Sequence, residues 1–166
     1  MTRETILRRR IRWLTGFFIF GLVISGATAI PLEWELGLLA QLPGLARVDA
    51  APPSALSEWI LKIQTALHES NLKYPFLAYG TDWLAFGHFM IAIAFIGAWR
   101  DPVCNIWLFE FGMIACALIV PYAFVFGGLR GIPIYWRLID CSFGVFGIVP
   151  IWLCRKWLRE IQRRET

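Results

Sequence analysis

Residues 106–126 read IWLFEFGMIACALIVPYAFVF, a nearly continuous apolar run with a single charged side chain, Glu110. An α-helix needs about 20 mostly apolar residues to cross about 30 Å of bilayer hydrocarbon. Where no water is present, the backbone must satisfy its own hydrogen bonds, and a helix does this within one segment. This stretch therefore predicts a transmembrane helix.

Three further apolar stretches of similar length lie on both sides of it, at residues 13–30, 83–99 and 132–154. Hydrophobic residues make up 58% of the 166-residue chain, compared with about 45–50% in soluble domains, and the excess is concentrated in the four stretches. The chain is too short for an additional soluble domain of ordinary size. The sequence predicts an all-α fold, a polytopic four-transmembrane-helix bundle that forms a single membrane domain.

The basic residues are concentrated at the two ends of the chain. Five arginines precede the first stretch, in residues 1–12, and five basic residues follow the last one, in residues 155–166. With four spans, both ends and the turn that holds Arg100 lie on one side of the membrane. The positive-inside rule assigns that side to the cytoplasm. We therefore predict a multi-pass cell-membrane protein of the bacterial inner-membrane type, with both termini cytoplasmic.

The first apolar stretch has a competing interpretation. Arginines, an apolar run and Ala27-Thr28-Ala29 together are similar to a secretory signal with a cleavage site. The run is longer than the usual core of a signal peptide, which favours a retained membrane anchor.

The basic ends are expected to contact anionic lipid head groups of the bilayer rather than nucleic acid.

Residues 31–81 form the predicted external segment, an amphipathic helical cap between the first and second spans. Ser54 is a predicted N-cap, and the helix after it is expected to run to about Ser70. Pro43-Gly44 predicts a turn before this helix. Thr81 or Asp82 is expected to cap the second span. The apolar positions of the cap helix recur at helical spacing: Leu56, Trp59, Ile60, Ile63 and Leu67.

The four cysteines do not indicate a metal site or a disulfide. An oxidising compartment would favour disulfides in the external segment. None of the four cysteines lies there: Cys104, Cys116, Cys141 and Cys154. Their spacing does not match a zinc-binding pattern. No metal and no cofactor is expected.

Four ionisable residues lie inside predicted spans, where a charge is costly and therefore suggests a function. At about 1.5 Å per residue, His88, Arg137 and Asp140 are all expected in the outer half of the bundle. They are the candidate ligand-binding residues. Glu110 lies near the inner end of its span and is the candidate ion or proton carrier.

Each of these residues also has a purely structural interpretation. Arg137 and Asp140 are three residues apart on one helix and could neutralise each other. His88 could be a neutral hydrogen-bonding group, and Glu110 could pair with an arginine at the cytoplasmic end, such as Arg100 or Arg155.

Helical spacing also predicts packing faces. Asp140, Gly144 and Gly147 share one face of the fourth span, together with Arg137 and Cys141. This face is expected to turn toward protein, because lipid would leave the charges unpaired and small residues permit close helix approach. Pro121 removes one backbone donor from the third span and is expected to kink it.

Three functions are compatible with these patterns. The first is a non-enzymatic binding or accessory membrane protein that holds a lipid head group, a quinone or another amphiphile in an outer-half polar pocket, alone, self-associated or within a larger membrane complex. The second is a homo-oligomeric transporter or channel. The third is a membrane-embedded lipid-modifying enzyme, with His88 and Asp140 as an acid–base pair.

Overall fold

A computed structural model describes residues 2–41 and 54–165 of the chain. This described part consists of six α-helices and one short 3-10 helix, Pro75–Ala78, and the all-α prediction is confirmed. The α-helices are α1 (Arg3–Ala29), α2 (Leu32–Gln41), α3 (Ala55–Lys73), α4 (Tyr79–Arg100), α5 (Ile106–Leu129) and α6 (Ile134–Glu165).

Four of these helices are long and apolar enough to cross a membrane: α1, α4, α5 and α6. They contain the four predicted apolar stretches, except for one residue at the end of the first and two at the start of the last, and α1 and α6 extend well beyond them into the basic ends of the chain. The reason is packing. Leu7 and Ile11 from the start of α1 share one buried core with Leu158 and Ile161 from the end of α6. The basic ends are therefore parts of packed helices.

The helix α3 of the cap segment begins where the sequence predicts it. The Ser54 hydroxyl accepts a hydrogen bond from the backbone N–H of Ser57 at 3.1 Å and caps α3. The helix continues beyond Ser70 to Lys73, and Tyr74 is its C-terminal cap. The predicted turn at Pro43-Gly44 lies outside the described residues.

The predicted cap of the second span at Thr81 or Asp82 is wrong. Helix α4 already begins at Tyr79, directly after the 3-10 helix, so both residues lie inside its first turn. The Thr81 hydroxyl donates to the carbonyl of Ala78 at 2.6 Å and does not accept from a free backbone N–H. Continuation from the 3-10 helix makes a separate cap unnecessary.

The chain divides into two structural units. The first unit comprises the residues up to 21 and from 91 onward, and the second comprises residues 22–90. Phe95 and Phe109 lie at the centre of the first unit with their ring planes nearly perpendicular, at a centroid distance of 6.2 Å. Both rings are almost fully buried.

Glycines bring α5 and α6 into close contact within the first unit. A Cβ atom at Gly144 would lie 2.5 Å from the carbonyl oxygen of Cys116, and one at Gly147 would lie 3.0 Å from its Sγ atom. Cys141 and Gly144 are both buried. The prediction that this face of the fourth span turns toward protein is therefore confirmed for its small residues. Helix α5 continues through Pro121 without interruption.

In the second unit, Gly26 allows the end of α1 to approach α4. A Cβ atom at Gly26 would lie 2.9 Å from the Phe89 ring and 3.0 Å from the Ala85 carbonyl oxygen. Helix α2 packs on α3, and Leu36 and Ile60 from these two helices are buried. Each of these two helices therefore buries an apolar side chain.

Candidate functional site

The candidate site is a groove in the first unit between the second half of α5 and the first half of α6. Its volume is about 650 Å³. Asp140 and Arg130 contribute its charged groups. The remaining lining is mainly apolar and aromatic: Ala115, Leu118, Ile119, Tyr122, Ala123, Phe126, Gly127 and Ile132.

The turn between α5 and α6 shapes the polar end of this groove. Gly131 has a φ of +68°, a conformation that glycine adopts without steric cost. The backbone N–H of Ile132 returns to the carbonyl oxygen of Gly127 at 2.8 Å. This hydrogen bond closes the C-terminus of α5, as is typical where a glycine follows a helix. The turn therefore places the first residues of α6 beside the end of α5.

Arg137 is held by this turn. Its side chain crosses Gly127, where an added Cβ atom would lie 2.9 Å from the arginine Cδ atom. Its Nε atom donates to the carbonyl oxygen of Ile132 at 2.7 Å. The Gly127-Gly128 pair therefore provides the space that the arginine side chain occupies.

Asp140 lies one helical turn after Arg137 but is not neutralised by it. Within residues 2–41 and 54–165, the Asp140 carboxylate has no hydrogen-bond or ion-pair partner, and Arg137 is directed toward Ile132 instead. The structural interpretation, in which Arg137 and Asp140 neutralise each other, is therefore wrong. The half-buried Asp140 carboxylate is left facing the groove.

His88 belongs to the second unit, whereas Arg137 and Asp140 belong to the first. The His88 Nδ1 atom lies 2.8 Å from the carbonyl oxygen of Leu84, one turn earlier on α4. Since a carbonyl only accepts, Nδ1 carries the proton in this hydrogen bond. This geometry matches the structural interpretation of His88. The grouping of all three residues around one ligand stays a prediction.

Glu110 has the arginine partner that one interpretation expected. Its Oε1 atom accepts from Arg155 Nε at 2.9 Å and from a terminal guanidinium nitrogen of Arg155 at 2.7 Å. Arg155 is mostly buried, whereas the Glu110 side chain is 45% exposed. The contact joins α5 to α6. A role of Glu110 as an ion or proton carrier stays a prediction.

Sequence reasoning missed a second polar cavity, of about 590 Å³, in the cap. There the Glu33 carboxylate lies 2.7 Å from Nδ1 of His68 and accepts from the Asn71 side-chain amide at 2.6 Å. Hydrogen bonds from Asn71 and then from His68 lower the pKa of Glu33 below its usual range. The spacing of His68 and Asn71, three residues apart on one helix, was the available signal.

Among the described residues, no group of three or more His, Cys, Asp or Glu side chains is placed to hold a metal ion. The chemistry available in the α5–α6 groove is therefore that of a carboxylate and a guanidinium beside apolar and aromatic side chains. A carboxylate can accept hydrogen bonds there, and a guanidinium can donate them.

Comparison of the chain with protein families, curated proteins and solved structures finds no match.

Proposed function

We propose that the protein is a small integral membrane protein of the non-enzymatic binding or accessory type, and that it holds an amphiphile in the α5–α6 groove. The observation that carries this proposal is the Asp140 carboxylate, which faces a mainly apolar groove without a hydrogen-bond or ion-pair partner among the described residues. An ionisable group kept in such surroundings indicates a function by default.

The distribution of side-chain size supports a membrane setting. Large apolar side chains on the long helices face outward: Phe17 is 68% exposed, Phe146 is 76% exposed and Leu129 is 79% exposed. Small residues such as Gly144 and Ala98 are buried instead. In water such large exposed apolar surfaces favour association or aggregation, whereas membrane helices pack through small residues and present large ones to lipid.

The groove fits a ligand with two chemically different ends. Leu118, Ile119 and Phe126 offer surface for an acyl or isoprenoid chain. Arg130 offers donors and Asp140 offers acceptors to a polar head. A lipid head group, a quinone or another small amphiphile meets these requirements, since each combines an apolar tail with groups that can hydrogen-bond.

Native mass spectrometry of the protein released from mild detergent tests the proposal. The wild type is expected to retain a defined small-molecule mass that tandem fragmentation assigns to an amphiphile. Asp140→Asn is expected to lower its occupancy by about tenfold, as for the loss of one charged hydrogen bond of about 1.5 kcal/mol. Asp82→Asn removes an exposed carboxylate from α4 and serves as the matched control.

Two outcomes would contradict the proposal. One is equal occupancy in the wild type and the Asp140→Asn variant. The other is a discrete oligomer that carries no retained mass, which would favour the homo-oligomeric transporter or channel.

A further inference from the structure

A second groove, in the first unit, combines a basic end with an aromatic wall. Its volume is about 820 Å³. Three arginines from the first turns of α1 lie at one end, and α4 contributes Trp99. No carboxylate is among the described residues that line it: Thr5, Arg8, Arg9, Arg12, Trp13, Gly16, Phe17, Phe20 and Trp99.

The lining of the groove changes from arginine to aromatic side chains along the axis of α1. Arg9, Trp13, Gly16 and Phe20 recur at spacings of four, three and four residues, which places them on one helical face. At 1.5 Å per residue, this face extends for about 16 Å from Arg9 to Phe20. The groove therefore has a cationic entrance and a long apolar floor.

Gly16 lies on the floor of this groove, beside Trp99. A Cβ atom there would lie 3.7 Å from Nε1 of Trp99. The Trp99 indole and the rings of Phe17 and Phe20 line the groove around this position.

The positive charge at the entrance is largely uncompensated. Arg8 pairs with Glu4, its Nε atom 2.7 Å from the carboxylate. Arg9 and Arg12 are both exposed, and neither has a carboxylate partner within the described part of the chain. Two such guanidinium groups, three residues apart, are suited to bind a phosphate by charge-assisted hydrogen bonds.

We propose that this groove is a specific site for an anionic phospholipid. Arg9 and Arg12 bind the phosphate, and the acyl chain lies along Trp13, Phe17 and Phe20. The charge complementarity selects an anionic head group, and the aromatic floor selects a lipid over a free anion. The site is separate from the α5–α6 groove, which has a carboxylate at its polar end, and does not depend on the function proposed for that groove.

The test is a native mass-spectrometric titration of the full-length protein with phosphatidylglycerol and with phosphatidylcholine of the same acyl chains. The wild type is expected to bind phosphatidylglycerol preferentially. The double variant Arg9→Gln/Arg12→Gln is expected to lose about 10- to 30-fold in this affinity, as estimated from the interaction of two basic side chains with an anionic lipid surface. Its affinity for phosphatidylcholine is expected to change by less than about twofold.

A matched double variant separates a defined site from diffuse positive charge. Arg159→Gln/Arg163→Gln removes the same charge from exposed positions on α6 in the same unit. It is expected to leave the affinity for phosphatidylglycerol within about twofold of the wild type. An equal loss in both double variants would overturn the proposal.

Two further measurements test the aromatic floor and the independence of the site. Trp13→Ala truncates a side chain that is 71% exposed, so the core is retained, and the variant is expected to lose the preference for long over short acyl chains. Asp140→Asn is expected to leave phosphatidylglycerol binding unchanged, although it lowers the occupancy of the α5–α6 groove. Competition by inorganic phosphate at the concentration of the lipid would overturn the proposal, since it would indicate a site for bare anions.

Discussion

Gly144 decides how closely α5 and α6 approach each other. The atom that a Cβ would meet, the carbonyl oxygen of Cys116 at 2.5 Å, belongs to the backbone of a neighbouring helix and cannot rotate away as a side chain can. Gly21 offers a contrast, because an added Cβ would meet nothing within 4 Å there. An added methyl group would therefore clash at Gly144 but would be accommodated at Gly21.

Gly144→Ala is expected to destabilise the protein by about 1–3 kcal/mol, since overpacking forces the two helices apart. Gly21→Ala is expected to stabilise it by about 0.5–1 kcal/mol, because alanine is the better helix former and has room. Unfolding in mixed micelles as a function of denaturing detergent measures both changes. A Gly144→Ala variant as stable as the wild type would contradict the close packing.

The Glu110–Arg155 contact gives a second prediction for individual residues. Because the Glu110 side chain is 45% exposed and that of Arg155 is 24% exposed, solvent screens part of the attraction. A double-mutant cycle with Glu110→Gln and Arg155→Gln is expected to give a coupling energy of about 0.5–1 kcal/mol. A cycle of Glu110→Gln with Arg159→Gln is the control and is expected to be additive. Zero coupling in the first cycle would contradict a structural role of this contact.

Between whole elements, the polar contact between α2 and α3 is centred on a single carboxylate. Glu33 on α2 accepts from two side chains of α3, His68 and Asn71, at 2.7 and 2.6 Å. Leu36 on α2 and Ile60 on α3 are both buried. The polar contact adds a dependence on pH that buried apolar side chains lack.

The sign of this dependence follows from the lowered pKa of Glu33. A carboxylate with a lowered folded-state pKa contributes stability above its unfolded pKa, about 4.3 for glutamate, and the contribution is lost as pH falls through the folded value. Amide hydrogen exchange in α2 and α3, corrected for its intrinsic pH dependence, is therefore expected to show less protection at about pH 3 than at about pH 6.

The variant Glu33→Gln is expected to remove most of this pH dependence. Glu69→Gln, on the exposed side of α3, is the control and is expected to retain it. Identical profiles for the wild type and Glu33→Gln would show that another group controls the pairing.

For the whole molecule, orientation in the membrane is the main prediction. In the proposed topology of four membrane spans, the turn between α4 and α5 lies on the same side as both termini. Cys104 lies in this turn and is exposed, whereas Cys116, Cys141 and Cys154 are buried. A single native cysteine can thus report the orientation of the chain.

A membrane-impermeant maleimide is expected to label Cys104 in inside-out membrane vesicles and not in intact spheroplasts. Hydrogen bonding to the Asp101 carboxylate, together with its negative charge, raises the pKa of Cys104. Because the thiolate is the reactive form, labelling is expected to be faster at about pH 9 than at about pH 7. Cys104→Ser is the control, and labelling of spheroplasts from outside would contradict the predicted topology.

The groove residues show why only part of the candidate site could be predicted. Asp140 was identified because a charge within an apolar helix is conspicuous at any position. Its missing partner was not predictable, since Arg137 lies at suitable spacing but is directed away by the Ile132 carbonyl and the space over Gly127. Glu33 and His68 are 35 residues apart, so the spacing of His68 and Asn71 marks a polar face of α3 but does not indicate that Glu33 meets it.

The sequence by itself determined four long apolar helices, the cap helix that begins after Ser54 and the basic ends of the chain. These features are local, because helical periodicity, capping and hydropathy act within one turn or one segment. Only the tertiary structure decided that the basic ends continue as packed helices, that Glu110 pairs with Arg155 and that Asp140 faces a groove without a partner among the described residues. These features depend on which helices approach each other and how closely, and that is set by packing between residues far apart in the chain.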